Sequence, residues 1–174
     1  MNKDPYKELL TGEDLGTGIS LGFPFSAVPA KVVDTLGRRF ADRNVSMDIR
    51  YYKFMDDYSD YALVVGDMDQ DGKVDAIAIA VYAQSGEPEQ KVQRFRNVFP
   101  KVHTKTGITI GDDCRDVVEA YQTVKHHVRD STWIHSSAGH LHFHSHGDLI
   151  SGIWLLDDES YQRPIVSLLG SDYV

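Results

Sequence analysis

The sequence predicts an α+β fold in which two tandem helix-plus-antiparallel-meander repeats form one sheet-based domain. The segments TGISLGFPFSAV (residues 17–28) and TGITIGDDCRDV (residues 106–117) share the pattern T-G-I-[S/T]-[L/I]-G-x5-V. An internal echo of this kind is typical of a repeated structural unit. Each copy is also followed by a helical pattern and then by several strand-like runs, which supports two units of similar organisation.

A helix is expected directly after each copy of the motif. In the first copy Ser26 is the expected N-cap, and Gly37 is the glycine expected at the C-terminal end. In the second copy Asp113 is the expected N-cap, and Asp116 lies where a carboxylate stabilises the positive end of the helix dipole. Both copies are therefore predicted to open a helix.

Three strand-like runs follow each predicted helix. They are residues 49–55, 61–65 and 74–82 in the first repeat, and residues 132–135, 140–144 and 149–156 in the second. In the run VDAIAIAVY, bulky side chains alternate with alanines. A strand formed by this run has one bulky face and one small face, so a helix or a sheet can approach closely over the alanines.

A helix and a tail complete the predicted organisation. Val92, Phe95 and Phe99 have helical spacing, and Pro100 ends the pattern. We therefore divide a single domain, residues 1–174, into repeat one at about 15–83, a linker helix at about 87–99, repeat two at about 104–156 and a packed C-terminal tail at 157–174.

The repeated G-I-x-[L/I]-G-x5-V helix opening, followed by an antiparallel meander, resembles the tandem-repeat architecture of the beta-lactamase-inhibitor-protein-like fold. Small outer-membrane-assembly lipoproteins share that fold. The resemblance covers most of residues 15–156 and implies a binding or inhibitory module. The functional residues of the family lie on surfaces that have no counterpart motif in this chain, so none is transferred.

The charge balance excludes some classes of partner. The net charge is −8, from 18 Lys and Arg against 26 Asp and Glu, which argues against binding to nucleic acid or to an anionic membrane surface. The single cysteine, Cys114, excludes an intramolecular disulfide framework and a cysteine-rich zinc site. The expected partner is an unidentified protein or a small ligand.

The sequence leaves localisation open. The N-terminal stretch MNKDPYKELL lacks the apolar region of a signal peptide, and no later stretch approaches the roughly 18 apolar residues of a transmembrane helix. No membrane insertion is expected. A cytoplasmic protein is expected if Met1 is the natural start, and an exported one if a leader has been removed.

The segment GDMDQDGKVD (residues 66–75) resembles the first nine positions of a calcium loop of the form DxDxDGxxD. The side chains of Asp67, Asp69, Asp71 and Asp75 occupy positions 1, 3, 5 and 9, where oxygens converge on a hard cation. Lys73, at position 7, contributes its backbone carbonyl, and the glycine at position 6 permits the sharp turn. The segment therefore predicts a Ca²⁺ site.

Two features set this loop apart from a helix-loop-helix hand. Position 12 is Ala78 in place of a bidentate glutamate, and the flanks are strands, as in integrin-type propeller repeats. Water would complete the coordination, and binding would be weaker than in a tight buffering site. The competing interpretation is an acidic hairpin turn, because Asp and Gly are favoured in turns. Repulsion among four carboxylates, with only Lys73 nearby, favours the cation site.

The run GHLHFHSHGD (residues 139–148) places His140, His142 and His144 on one face of a strand. Histidines two apart can share one Zn²⁺, Ni²⁺ or copper ion, with Asp148 or His135 as a further ligand. The competing interpretation is a half-buried strand with a polar face that happens to be histidine. That interpretation explains the alternation without a metal.

Two further features are candidates for a reactive or binding site. Cys114 begins the second predicted helix, where a thiolate is stabilised, but a small buried hydrophobic side chain is the favoured interpretation. The tyrosine-rich stretch of residues 51–61 is either an aromatic binding face or strand packing. No P-loop, dinucleotide glycine motif, GxSxG or HExxH is present.

The function expected from the sequence is a non-enzymatic binding or inhibitory module with a structural calcium-type loop. One alternative is a metal-dependent, hydrolase-like enzyme that uses the histidine-rich strand. Another is a metal-sequestering protein that binds ions through the same histidines without catalysis. No catalytic residue and no organic cofactor is assigned, and whether the protein is an enzyme stays open.

Overall fold

An eight-stranded antiparallel sheet forms the centre of the protein. The computed structural model describes residues 13–29, 42–45, 49–55, 61–81, 88–121, 125–128 and 133–169. The sheet order is β1-β2-β3-β4-β8-β7-β6-β5. The strands are β1 (Asp42–Val45), β2 (Arg50–Met55), β3 (Tyr61–Asp67), β4 (Ala76–Val81), β5 (Lys125–Val128), β6 (Trp133–Ala138), β7 (Leu141–His146) and β8 (Leu149–Leu156). Two four-stranded meanders therefore meet where β4 pairs with β8.

The two faces of the sheet bury different side chains. The first face carries the bulky residues of the central strands, including Leu63, Ile79, Phe143 and Ile153, in the larger apolar cluster. The second face carries the alanines of β4 together with Trp154 and Leu156. This is the two-faced strand that the alternation in β4 predicts.

Helices cover both faces. The linker helix α1 (Pro88–Val98) contributes Phe95, which lies edge-on to Tyr61 with ring centroids 5.3 Å apart. Helix α2 (Cys114–Ala120) begins after Asp113, whose side chain accepts a hydrogen bond from the Arg115 N–H. Helix α3 (Gln162–Leu169) buries two apolar side chains over the alanine face. The close approach expected over the alanines is therefore occupied by a helix of the C-terminal tail.

These elements confirm the α+β class and the six strands expected from the sequence. Strands β1 and β5 were not expected, because the polar sequences DRNV and KHHV have no apolar alternation. Asp113 caps α2 as expected. Ser26 instead lies inside a 3-10 turn, Phe25–Ala27, that has no side-chain cap bond. Gly37 and most of the first predicted helix lie outside the described residues.

Each copy of the T-G-I motif contacts the hairpin that closes its own meander. In the first copy Gly22 N–H donates to Val74 O (2.7 Å) and Phe25 N–H donates to Gly72 O (2.9 Å). In the second copy Gly111 N–H donates to Ile150 O (2.7 Å) and Cys114 N–H donates to Asp148 O (2.8 Å). The two motif segments therefore make the same backbone contacts with two different hairpins.

The corresponding glycines of the two copies differ in their surroundings, which yields a matched test. Both have positive φ, +83° at Gly22 and +89° at Gly111. A Cβ on Gly111 would lie 1.9 Å from Cγ1 of Val92 in α1, whereas a Cβ on Gly22 meets none of the described atoms within 4 Å. Among the described residues, the glycine of the second motif thus lies tightly against a helix, whereas the glycine of the first does not.

We predict that Gly22→Ala lowers the free energy of unfolding by about 1–2 kcal/mol, because L-residues are strained at positive φ. Gly111→Ala should cost about 1–3 kcal/mol more, because the new methyl group also overpacks the contact with α1. Urea unfolding of the two variants measures both values. Equal losses would contradict the close contact between Gly111 and Val92.

Candidate metal centre

The aspartate loop connects β3 and β4. Asp67 is the last residue of β3, and residues 68–75 separate it from the first residue of β4. Two residues of the loop have positive φ, Gln70 at 64° and Gly72 at 89°. The glycine thus provides the backbone conformation that the calcium-type pattern requires at its sixth position.

Three of the predicted ligands lie together. Asp67, Asp69 and Asp71 each offer a carboxylate oxygen, and these oxygens lie within 4.8 Å of one another. Within the described ranges, this is the one group of three or more His, Cys, Asp or Glu side chains that could hold a metal ion. Asp67 is fully buried, whereas Asp69 and Asp71 are exposed. The group is therefore open to solvent on one side and anchored in the sheet on the other.

Asp67 has one oxygen with two donors and one oxygen with none. Its Oδ2 accepts from Arg50 Nη2 at 2.8 Å and from Gly72 N–H at 3.0 Å. Its Oδ1 is buried and has no hydrogen-bond partner among the described residues. A buried carboxylate oxygen without a donor is costly unless a cation or a water satisfies it.

Arg50 is the residue of this site that the sequence analysis missed. It is the strand partner of Asp67 across β2 and β3, and Nη2 also donates to Gln70 O at 2.9 Å. The expectation that only Lys73 lies near the carboxylates is therefore wrong. A signal was present, because an arginine that begins one strand and an aspartate that ends the next face each other in an antiparallel hairpin.

Asp75 has a different place from the other three aspartates. Its Oδ1 accepts from Met68 N–H at 2.8 Å, and its Oδ2 accepts from Asp69 N–H at 3.3 Å. Burial, above all, raises the pKa of Asp75 to about 6, while these two N–H donors lower it and the charges of Asp69 and Asp67 raise it further. Asp75 therefore shapes the backbone of the loop from within the hairpin.

Lys73 presents its backbone to the carboxylates. It forms an isolated bridge with Pro24, and the hydrogen bonds of that bridge are made by Gly72 and Val74. In such a pair the N–H and C=O of Lys73 point away from the neighbouring strand. The Lys73 N–H donates to Asp71 Oδ1 at 2.8 Å. Ligation of a cation by the Lys73 carbonyl stays a prediction.

The three candidate histidines are separated by their contacts. His140 lies in a turn, with Nδ1 2.8 Å from Leu156 O. His142 is buried, and its Nδ1 lies 3.0 Å from Gln162 Nε2 of α3. His144 stacks on Trp154 with ring centroids 4.1 Å apart. In the part of the chain that the structure describes, these histidines do not assemble with one another, or with an acid, into a group of three ligands.

The remaining candidates pack against other residues. Cys114 is partly buried, and burial, together with the charges of Asp113 and Asp148, raises the pKa of its thiol above the ordinary value. Tyr52 and Tyr61 belong to the larger apolar cluster, as the strand-packing interpretation expects. The aromatic stretch thus contributes at least two of its tyrosines to the core.

Comparison of the chain with protein-family models, with curated proteins and with solved structures finds no match. The resemblance to the beta-lactamase-inhibitor-protein-like fold therefore stays a hypothesis. Among the described residues, no helix has both the length and the apolar character needed to cross a membrane.

The raised pKa of Asp75 predicts an unusual pH dependence in the absence of divalent cations. The folded protein holds a proton on Asp75 up to a pH of about 6, whereas an unfolded Asp releases it near the ordinary value of 3.8. The stabilisation from this proton is fully present below pH 3.8 and is lost as the pH rises through 6. Asp75 thus makes the unfolding free energy increase when the pH falls from 7 to 5.

This contribution is measured as the difference in the free energy of unfolding between the wild-type protein and Asp75→Asn. Both proteins are unfolded by urea at several pH values in the presence of a chelator. The asparagine does not titrate, so other titrating groups contribute equally to both curves. The wild type should gain stability relative to the variant between pH 7 and pH 5. A constant difference across this range would contradict the raised pKa.

Proposed function

We propose that this protein is a non-enzymatic binding module in which the β3–β4 hairpin holds one divalent cation, with calcium as the preferred ion. The observation that carries the proposal is the buried Oδ1 of Asp67, which no described donor satisfies. This oxygen belongs to a carboxylate that lies with those of Asp69 and Asp71. A cation placed among them would satisfy the buried oxygen and relieve the repulsion between the three carboxylates.

The donor atoms favour calcium over a transition metal. Carboxylates and a backbone carbonyl are hard oxygen ligands, and calcium accepts six to eight of them in irregular geometry, with water completing the shell. Ala78 at the twelfth position is fully buried on the alanine face and supplies no oxygen from its side chain. Without a bidentate ligand there, binding should be weak, with a Kd in the range of about 10⁻⁴ to 10⁻³ M that is typical of extracellular calcium modules.

We further propose that the two halves of the chain are structural repeats, as the echoed motif predicts. Support comes from the matching hydrogen bonds of the two motif segments and from the positive φ of the corresponding glycines. The sheet order places the two meanders on either side of the β4–β8 pair. We also propose that the module binds a partner, either a protein or a small ligand, because the tandem-repeat pattern resembles that of inhibitor modules.

The hydrolase-like alternative receives less support from the geometry. A catalytic metal needs three protein ligands and an open position. The Nδ1 atoms of His140 and His142 already contact Leu156 O and Gln162 Nε2. The histidine-rich strand therefore presents fewer ring nitrogens to a shared ion than the sequence pattern suggests.

The calcium proposal predicts that the cation stabilises the folded protein. At a calcium concentration about 100 times Kd, the free energy of unfolding should rise by about 2.7 kcal/mol. Asp69→Ala and Asp71→Ala should each abolish most of this gain, because each removes one of the three converging carboxylates. Thermal unfolding with and without calcium, after treatment with a chelator, measures the effect.

Asp148→Ala is the matched control, because Asp148 is an exposed aspartate in the turn of the second hairpin. This variant should keep the full calcium-dependent gain. The proposal fails if calcium leaves the melting temperature of the wild type unchanged, or if Asp69→Ala and Asp148→Ala respond to calcium equally.

A further inference from the structure

The candidate cation site already contains a positively charged side chain, that of Arg50. Arg50 Nη2 lies 2.8 Å from Asp67 Oδ2, and the same nitrogen donates to Gln70 O at 2.9 Å. The side chain of Arg50 is 35% exposed, whereas that of Asp67 is fully buried. The guanidinium carbon also lies 6.0 Å from the centre of the Phe25 ring. Arg50 is thus held by a strand, by the loop and by the N-terminal segment together.

The position of Arg50 matters because its guanidinium group pairs with the same carboxylate, that of Asp67, that the proposed cation would bind. Asp67 offers Oδ2 to Arg50 and leaves Oδ1 without a described partner. A divalent ion at Oδ1 and a guanidinium at Oδ2 are like charges at close range, and a partly buried site screens their repulsion poorly. Arg50 also reduces the charge of the three-carboxylate group from −3 to −2 before any ion binds.

We propose that Arg50 is an internal counter-ion that weakens divalent-cation binding at this hairpin and keeps the loop folded in its absence. This inference rests on the proposed function and concerns how the affinity of the same site is set. Arg50 stabilises the cation-free form by pairing with a carboxylate that is otherwise buried without a counter-charge. The divalent ion must bind against this resident charge, so the site responds only to high concentrations of calcium.

The test compares calcium binding by variants that alter Arg50 in two ways. Arg50→Gln removes the charge but keeps an N–H donor for Asp67 or Gln70, and Arg50→Lys keeps the charge on a single ammonium group in place of the planar guanidinium. Lys53→Met is the control, because it removes one positive charge from the same strand at a position facing the opposite side of the sheet. Isothermal titration with CaCl₂ at fixed ionic strength measures Kd for each protein.

We expect Arg50→Gln to bind calcium about tenfold more tightly than the wild type, because one like charge is removed next to the ion. Arg50→Lys and Lys53→Met should stay within about twofold of the wild type. Arg50→Gln should also be less stable than the wild type in a chelator, and calcium should restore more of its stability.

The outcomes that contradict the proposal are distinguishable from one another. If the wild type binds calcium and a folded Arg50→Gln binds it equally or more weakly, Arg50 is a scaffold of the site and the counter-ion role is wrong, while the calcium site stands. If neither the wild type nor any variant binds calcium, the proposed function itself is wrong. Should Arg50→Gln not fold in a chelator, its recovery on addition of calcium, with none on addition of NaCl, supports the proposal, and no recovery overturns it.

Discussion

The pairing of β4 with β8 is the constraint on which the rest of the structure depends. It joins the two meanders into one sheet, with Ala78 opposite Trp154 and Ala80 opposite Gly152. Because the alanines are small, the indole of Trp154 and helix α3 can both pack on the same face. A larger side chain in β4 on this face would move α3 away and expose that second apolar cluster.

The same pairing determines what surrounds the aspartate loop. Strand β4 begins where the loop ends, and β8 ends beside it, so Asp157 N–H donates to Asp75 O at 2.9 Å. The acids that follow β8 therefore lie near those of the loop. Burial, above all, raises the pKa of Tyr161, and the surrounding charges raise it further, those of Asp75, Asp69, Asp158 and Asp157. The negative potential at the loop thus comes from two segments more than 80 residues apart in sequence. A strongly acidic surface of this kind attracts cations before any ligand atom is engaged.

Local patterns predicted the elements that have strong patterns of their own. The alternation in β4 and β7, the N-cap at Asp113 and the order of aspartates in the loop are properties of neighbouring residues. Strands β1 and β5 have no such pattern, because edge strands gain their regularity from hydrogen bonds to the next strand. The roles of Arg50 and Asp75 depend on cross-strand register and on which donors surround a carboxylate, so the order of residues alone does not determine them.

The contrast between the two hairpins explains what a cation would add. Both hairpins accept hydrogen bonds from a T-G-I motif segment, but β7 and β8 are joined by only two residues, whereas eight residues join β3 to β4. The longer connection is already held by Asp75 and by Arg50. The side chain of Asp69 also accepts a hydrogen bond from the Asp71 N–H, and that of Asp71 accepts one from the Lys73 N–H. A loop satisfied in this way does not need an ion to fold. Calcium would therefore act on what these bonds leave unsatisfied: the buried Oδ1 of Asp67 and the mutual repulsion of the three carboxylates. A cation bound there would adjust the stability of the folded protein and would not be required for the fold to form.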